Sequence, residues 1–272
     1  MWSLAALLVL VVTGGPPGDA PPRVARAELR SLPLLGTFAV GPLDPDCAPE
    51  PVDPGNGQVA ALIYTSGTTG TPKGVMLTHR NIMFVGAVSG GLRDIVPGDV
   101  VYGLLPMSHV FGLASVMVGT LFGGACLRVA PRFAPAQVLE DLKAGLTMWN
   151  GVPAMFAKLL EHVRLTGAKV EAPALRFLSA GGSPLDPAIK EGTEALFGRV
   201  LNNGYGLTES APTICQTRLD APRADCSVGH ALPGVEVRIE GENGQDVPDG
   251  QVGELWSRGP GTMKGYYRAP EL

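Results

Sequence analysis

The sequence YTSGTTGTPKG, at residues 64–74, is a polar, glycine-rich stretch between two apolar segments, AALIY and VML. It contains glycines, hydroxyl residues and one lysine, namely Thr65, Ser66, Gly67, Thr68, Thr69, Gly70, Thr71, Lys73 and Gly74. Glycine lets the backbone approach a ligand closely, hydroxyl groups donate hydrogen bonds, and lysine supplies a positive charge. Backbone N–H groups and a nearby cation are what a polyanion such as a triphosphate requires. The stretch therefore predicts a phosphate-binding loop.

Two other interpretations of this stretch are weaker. Glycine, serine and threonine are also typical of flexible linkers, but the apolar flanks and the single lysine after Pro72 argue against a linker. A Walker-type phosphate loop requires serine or threonine directly after the lysine. In this chain Gly74 follows Lys73, so the Walker motif is not met.

Composition bounds the possible partners. The chain has 272 residues, of which 45% are hydrophobic, so it can bury a large core. A formal net charge of -4 and the lack of a basic run argue against nucleic acid or an anionic membrane as a partner. The cysteines have no zinc-ligand spacing, and buried thiols in a reducing compartment, the cytoplasm, are expected. They are Cys47, Cys126, Cys215 and Cys226. The oligomeric state has no indicator in the sequence.

The pattern of apolar residues predicts the fold class. From residue 58 to 220, strand-like runs such as QVAALIYT and DVVYGLLP alternate with helical runs such as PAQVLEDLKAG. This alternation predicts an α/β fold with a parallel sheet covered by helices. Thr78 is the predicted N-cap of a helix that begins near His79 and runs toward Ile95. In residues 221–272, the segments GVEVRIE, GENGQDVPDG and QVGELWSRG predict short strands joined by turns, and hence a small β-rich subdomain.

Residues 1–57 are expected to be the remnant of a preceding α/β subdomain and a proline-rich connector. The apolar run LAALLVLVV, at residues 4–12, has the length of a signal-peptide core. No lysine or arginine precedes it, and no clear cleavage site follows. The run is also too short to span a bilayer. A buried parallel strand is therefore favoured over a secretion signal.

The motif YTSGTTGTPKGV resembles the phosphate-binding signature of the adenylate-forming enzymes, which include acyl-CoA and aryl-CoA synthetases, firefly luciferase and peptide-synthetase adenylation domains. The segment NNGYGLTES, at residues 202–210, resembles the family's nucleotide-contact segment. The resemblance implies that Tyr205 stacks on adenine, that Thr208 meets the α-phosphate and that Glu209 binds Mg²⁺. An aromatic face suits a purine, and a carboxylate suits a hard cation. The other predicted nucleotide contacts of this segment are Asn203, Gly204 and Gly206. Taken alone, the segment also fits a turn before a helix capped by threonine.

Two further segments resemble the same family. In SAGGSPL, at residues 179–185, Gly181 and Gly182 would leave room for adenine and the acyl group. In LPMSHVFGL, at residues 105–113, His109 stands where the family places a contact to the reacting carboxylate; a structural histidine is the alternative. The small and aliphatic neighbours of these segments predict a pocket for an apolar acyl or aryl group.

The resemblance implies a reaction in two steps. A carboxylic acid, the small-molecule partner, attacks the α-phosphorus of ATP to form an acyl-adenylate and pyrophosphate. A thiol, commonly that of coenzyme A, then takes the acyl group. Because phosphate charges crowd the site, positioning and charge neutralisation are expected to carry catalysis. Lys73, the loop amides and Mg²⁺ held by Glu209 would provide them, with Thr208 and His109 in contact with the reacting groups.

The family's ribose-binding aspartate, hinge and small C-terminal domain with its catalytic lysine have no counterpart up to Leu272. The chain is therefore expected to be a central fragment of an acyl-CoA ligase, with little activity alone. Two alternatives stay open. The chain is a non-catalytic nucleotide-binding module, or its acyl acceptor is a carrier-protein thiol or molecular oxygen.

Overall fold

The computed structural model describes residues 57–65 and 72–271. Two antiparallel strands, β1 (Val59–Thr65) and β2 (Lys73–Thr78), flank the glycine-rich loop, and helix α1 (His79–Leu92) follows them. The predicted start of α1 is confirmed. Thr78 is its N-cap, and Asn81 closes a capping box, because each residue accepts a hydrogen bond from the other's backbone N–H.

Strands and helices then alternate through the middle of the chain, as predicted. They are β3 (Val100–Gly103), a π-helical segment (Phe111–Val118) continued by α2 (Gly119–Phe122), β4 (Cys126–Val129), α3 (Pro135–Lys143), β5 (Met148–Gly151), α4 (Pro153–Thr166), β6 (Phe177–Ala180), α5 (Pro187–Phe197) and β7 (Leu201–Gly206). The five strands pair in parallel in the order β4-β3-β5-β6-β7. The predicted α/β fold with a parallel sheet covered by helices is confirmed.

Two antiparallel strands extend this sheet beyond β7. They are β8 (Thr213–Gln216) and β9 (His230–Ala231). The sequence did not predict β8, because its four residues are all buried and show no alternation of polar and apolar side chains. This strand matters for the site, since it places Thr213 and Gln216 beside β7.

The last part of the chain contributes to all three sheets. Strands β10 (Glu236–Glu240) and β11 (Glu254–Arg258) form a hairpin of their own, as predicted. Residues 241–250, GENGQDVPDG, form the connection between them and not a strand. Strand β12 (Gly265–Tyr266) pairs with β2. Although a boundary at residue 220 stays a prediction, the strands on its C-terminal side complete sheets begun before it.

The core lies on both faces of the large sheet. Trp149, Tyr102 and Phe156 are almost fully buried on the face covered by α3, α4 and α5. The π-helical segment and α1 cover the other face. Burial of this apolar area supplies most of the folding free energy.

Some predictions fall outside the described residues, namely the strand at residues 4–12, the connector before residue 57, Cys47 and the loop residues Ser66, Gly67, Thr68, Thr69 and Gly70. The expected burial of the cysteines is wrong for Cys126, which is exposed because it begins β4, the edge strand of the sheet. Cys215, in β8, is buried. None of the helices in the described ranges is long and apolar enough to span a bilayer.

Asp99 is a buried carboxylate directly before β3 that hydrogen-bonds to the residues directly before β5 and β6. It accepts hydrogen bonds from Arg176 Nε (2.8 Å), Thr147 Oγ1 (2.8 Å) and the Val96 N–H (2.9 Å). Burial raises the pKa of Asp99, but the hydrogen bonds from Arg176, Val96 and Thr147, with the charge of Arg176, outweigh burial and lower it overall.

We expect Asp99→Asn to lower the free energy of unfolding by about 1–3 kcal/mol at pH 7, the contribution of hydrogen bonds to a buried charged group. The pKa of Asp99 is lower in the folded than in the unfolded chain. The stabilisation by its carboxylate is therefore complete above the unfolded pKa, about 3.9, and disappears as pH falls through the folded pKa. Urea unfolding at pH 7 and at a series of pH values below about 3.9 measures the change, and the difference between wild type and Asp99→Asn should shrink as the pH falls. Asp249→Asn, on an exposed turn, is the control, and equal effects of the two variants would contradict the assignment.

Candidate active site

A cavity of about 620 Å³ opens at the carboxyl ends of β6 and β7, where ligands bind in open α/β sheets. Predicted site residues from four separate stretches of sequence line it, namely Thr65, Lys73, His109, Gly181, Gly182, Gly204, Tyr205, Gly206, Thr208 and Glu209. The fold therefore brings together segments that are up to about 140 residues apart in the chain.

One end of the cavity holds charged groups suited to phosphates. Lys73 Nζ lies 5.4 Å from the centroid of the Tyr266 ring, and the Tyr266 hydroxyl donates a hydrogen bond of 2.9 Å to Glu209 Oε1. Burial, followed by the hydrogen bond to Glu209 and its negative charge, raises the pKa of Tyr266. The phenol therefore stays protonated at neutral pH and holds one oxygen of the carboxylate in place.

Tyr266 is a functional candidate that the sequence interpretation missed. It lies in β12, whose pairing with β2 brings it next to Lys73, while the Met263 N–H donates to the Glu209 carbonyl oxygen at 2.8 Å. The segment GELWSRGPGTMKGYY, at residues 253–267, carries no local pattern that distinguishes a site tyrosine from a structural one. Only the pairing of distant strands identifies it.

Tyr205 lies on a glycine-flanked stretch of β7. Its side chain is 37% exposed and lines the cavity, so a ring face is available for stacking. Gly206 has no space for a side chain, because a Cβ atom there would lie 1.8 Å from the Pro212 carbonyl oxygen. At Gly181, a Cβ atom would lie 3.1 Å from the Phe111 ring. At both positions, the absence of a side chain lets the backbone lie close to neighbouring residues beside the cavity.

Thr208 begins a short 3₁₀ helix, Thr208–Ser210. The N-cap of this helix is Leu207, so Thr208 does not act as the capping residue that the alternative interpretation required. Among the described residues its hydroxyl has no hydrogen-bond partner, and it lines the cavity. The hydroxyl is therefore free to contact a ligand.

His109 stands at the entrance to the π-helical segment. The Phe111 N–H donates a hydrogen bond of 3.2 Å to His109 Nδ1. A neutral imidazole with that acceptor carries its proton on Nε2. His109 can therefore donate a hydrogen bond from Nε2 to an oxygen in the cavity.

Among the predicted site residues that the structure describes, Asn203 is the one that does not line the cavity. It is 5% exposed. Its Nδ2 donates to the Cys226 carbonyl oxygen at 2.8 Å, and its Oδ1 accepts from the Gly204 N–H at 2.9 Å. These bonds hold the end of β7 in place beneath the cavity.

Part of the cavity wall is polar, in contrast to the apolar pocket that the sequence predicts. Arg93, at the C-cap of α1, lines it together with Ser179, Thr213 and Gln216. Arg93, Thr213 and Gln216 were missed because they belong to segments without a motif and meet only in the folded chain. Ser179 was missed although it begins the segment SAGGSPL, because only the two glycines of that segment were singled out. Apolar residues, Val110, Phe111, Ala180 and Leu207, line the rest.

The donor groups at the phosphate end are compatible with Mg²⁺. Glu209 Oε1 accepts from Tyr266, while Oε2 has no hydrogen-bond partner among the described residues. No cluster of three acidic, histidine or cysteine side chains that could form a closed metal cage occurs in the described ranges. Mg²⁺ in nucleotide sites typically binds through one or two carboxylates and the substrate phosphates. Glu209 could supply such a carboxylate.

Comparison with known proteins agrees with this arrangement. The model of the family described as AMP-binding enzyme matches residues 9–267. The chain is 36% identical over 259 residues to the sulfoacetate–CoA ligase of Cupriavidus necator. This match covers 93% of this chain and 48% of that protein. The chain is also 36% identical over 221 residues to the long-chain-fatty-acid–CoA ligase of Yersinia pestis. This second match covers 79% of this chain and 39% of that protein.

Solved structures give the same result. The crystal structure of apo MatB from Rhodopseudomonas palustris matches with a TM-score of 0.74 and 34% identity, over 81% of this chain and 43% of that one. The chain thus spans less than half the length of each of these three proteins. Since the family model covers nearly the whole sequence, and the parallel sheet and cavity fit it, the chain belongs to the AMP-binding enzyme family.

Proposed function

We propose that this protein is an acid–thiol ligase that converts a carboxylic acid and ATP into an acyl-adenylate and then passes the acyl group to coenzyme A. The observation that carries the proposal is the grouping of Lys73, Tyr266, Glu209, Thr208 and Tyr205 around one cavity. Similar proteins are named as ligases of acids as different as sulfoacetate and long-chain fatty acids. Their names therefore support this type of reaction but do not identify one acid as the substrate.

In the first step, a carboxylate oxygen forms a bond to the α-phosphorus of ATP while the bond to pyrophosphate breaks. Negative charge builds up on the phosphate oxygens in this step. Lys73 and the hydroxyl groups of Thr65 and Thr208 would stabilise that charge, and Tyr205 would orient adenine. Mg²⁺ bound through Glu209 would supply further charge neutralisation. We assign phosphate contacts to the loop residues Ser66, Gly67, Thr68, Thr69 and Gly70 from the sequence motif alone.

The acid would reach this point from the side of His109. The imidazole Nε2–H would donate a hydrogen bond to one carboxylate oxygen and leave the other oxygen free to attack. Gly181 and Gly182 would leave space between the acyl group and the nucleotide. His109 in this role orients the carboxylate, and no proton transfer is required of it.

The domain division is part of the proposal. Residues 58–220 would form the nucleotide-binding core, and residues 221–272 a β-rich subdomain that supplies Tyr266. Free thiols at Cys126, Cys215 and Cys226 suit a reducing compartment, so we place the reaction in the cytoplasm.

The proposal is tested by pyrophosphate exchange into ATP with the polypeptide as the cell makes it, over a panel of carboxylic acids. We expect exchange that depends on the acid and, after addition of coenzyme A, one AMP and one thioester per ATP consumed. Binding of Mg·ATP without exchange for any acid would instead identify a non-catalytic nucleotide-binding module. Exchange without a coenzyme A thioester, but with acylation of a carrier protein, would identify a carrier-protein thiol as the acyl acceptor in place of coenzyme A.

A further inference from the structure

Arg93 is a buried cation that lines the cavity without a carboxylate partner among the described residues. It is 4% exposed, and its Nη1 donates to the Ser115 carbonyl oxygen at 2.9 Å. Its other N–H donors have no acceptor in the described part of the chain. Some less buried arginines of this chain are paired with acidic residues, as Arg176 is with Asp99 and Arg238 with Glu240.

A wall of hydrogen-bonded polar groups surrounds Arg93. Ser89, one turn earlier in α1, donates to Gln216 Oε1 at 2.6 Å, and the hydroxyls of Ser115 and Thr213 lie 3.0 Å apart. No side-chain hydrogen bond among the described residues joins this wall to the Lys73, Tyr266 and Glu209 group. The cavity thus has two polar regions, one around Arg93 and one around Lys73.

Burial of a charge without a partner is costly, and proteins normally pair or coordinate such groups. Burial lowers the pKa of Arg93 to about 10, so the side chain still carries a positive charge at pH 7. A guanidinium in a cavity, with free donors in a planar fork, fits an oxyanion such as a carboxylate or a sulfonate. A ligand that brings such a group would supply the missing partner.

We propose that the acid activated in this cavity carries a second anionic group, a carboxylate or a sulfonate, and that Arg93 binds it. This inference rests on the proposed function, because it assigns the acid of that reaction. Arg93 would select the substrate without contact with the reacting phosphate. Acids with an uncharged hydrocarbon end would leave the guanidinium unpaired and would bind less well.

The test measures binding of non-hydrolysable adenylate analogues by calorimetry, and so does not depend on turnover. The probes are N-acylsulfamoyl adenosines with malonyl, succinyl or sulfoacetyl groups, compared with propionyl and butyryl groups. We expect the chain to bind at least one analogue with an anionic acyl group about 10-fold to 100-fold more tightly than the propionyl and butyryl analogues, the range of a charge-assisted hydrogen bond. The ranking of malonyl, succinyl and sulfoacetyl shows whether the second group is a carboxylate or a sulfonate.

Three variants assign the preference to Arg93. Arg93→Met should remove the preference and leave the affinity for the propionyl and butyryl analogues near the wild-type value, whereas Arg93→Lys should retain part of the preference. Arg80→Met, an exposed position on the same helix, removes the same charge outside the cavity and should bind all analogues like wild type.

Equal or tighter binding of the propionyl and butyryl analogues by the wild-type chain would overturn this inference and leave the proposed function intact. An equal loss of affinity for all analogues in Arg93→Met would overturn it as well, because that is the result of a structural role. Binding of none of the analogues would overturn the proposed function together with the inference. The wild-type comparison decides the question even if Arg93→Met does not fold.

Discussion

Lys73→Ala is expected to lower kcat/KM for acid-dependent pyrophosphate exchange by about 100-fold to 1,000-fold, the usual effect of removing one preorganised group that stabilises developing charge. Lys73 lines the cavity beside the ring of Tyr266, whose hydroxyl binds Glu209. Loss of the ammonium group would leave the negative charge of the phosphates and of Glu209 without this neutralising cation.

The exchange assay should show the loss at saturating and at subsaturating ATP, because the lysine contacts charge that grows during the reaction. Lys158→Ala, on the exposed surface of α4, is the matched control and should keep wild-type exchange. Lys73→Arg should recover only part of the activity, since a planar guanidinium replaces a compact ammonium. Turnover unchanged in Lys73→Ala would refute the phosphate-binding role of this end of the cavity.

Gly206→Ala should reduce both the stability of the chain and its affinity for nucleotide. The added Cβ atom would lie 1.8 Å from the Pro212 carbonyl oxygen, so the backbone between β7 and β8 must move. Overpacking of this kind typically costs 1–3 kcal/mol and sometimes more, and we expect about 2 kcal/mol or more here because the clash is with backbone. The same movement would shift Tyr205 and Thr208, and we expect ATP affinity to fall about 10-fold or more, equivalent to 1.4 kcal/mol.

Urea unfolding and calorimetry with Mg·ATP measure the two effects separately. Gly91→Ala provides the matched control, because a Cβ atom at this helical position meets nothing within 4 Å. Alanine there should be neutral or stabilise α1 by up to about 1 kcal/mol. If Gly206→Ala were as stable as Gly91→Ala, the close approach of β7 to Pro212 would not describe the protein in solution.

Local patterns were sufficient for most of the fold. The alternating strands and helices of residues 58–220 and the N-cap at Thr78 follow from short stretches of sequence, and the structure confirms them. Strand β8 could not be predicted in this way, because all its side chains are buried on both faces of the sheet. The exposure of Cys126 depends on strand order, which local sequence does not determine.

The residues of the candidate site also fall into those that local sequence identifies and those that it does not. Residues in long motifs, such as Lys73, Tyr205 and Glu209, could be named from the sequence, and they line one cavity. Tyr266 and Arg93 could not, because each reaches the cavity only through contacts between distant segments. Asn203 shows the opposite relation between motif and position. It shares a motif with Tyr205, but its side chain hydrogen-bonds beneath β7 instead of facing the cavity.

The pairing of β12 with β2 has a consequence for the order of events during synthesis. Lys73 and Tyr266 are 266 − 73 = 193 positions apart, so the ribosome releases the lysine long before the tyrosine that lies next to it. Contacts over such separations form late, because the intervening chain must be ordered first. A nascent chain therefore cannot gain stability from nucleotide at this end of the cavity until Tyr266 has been translated.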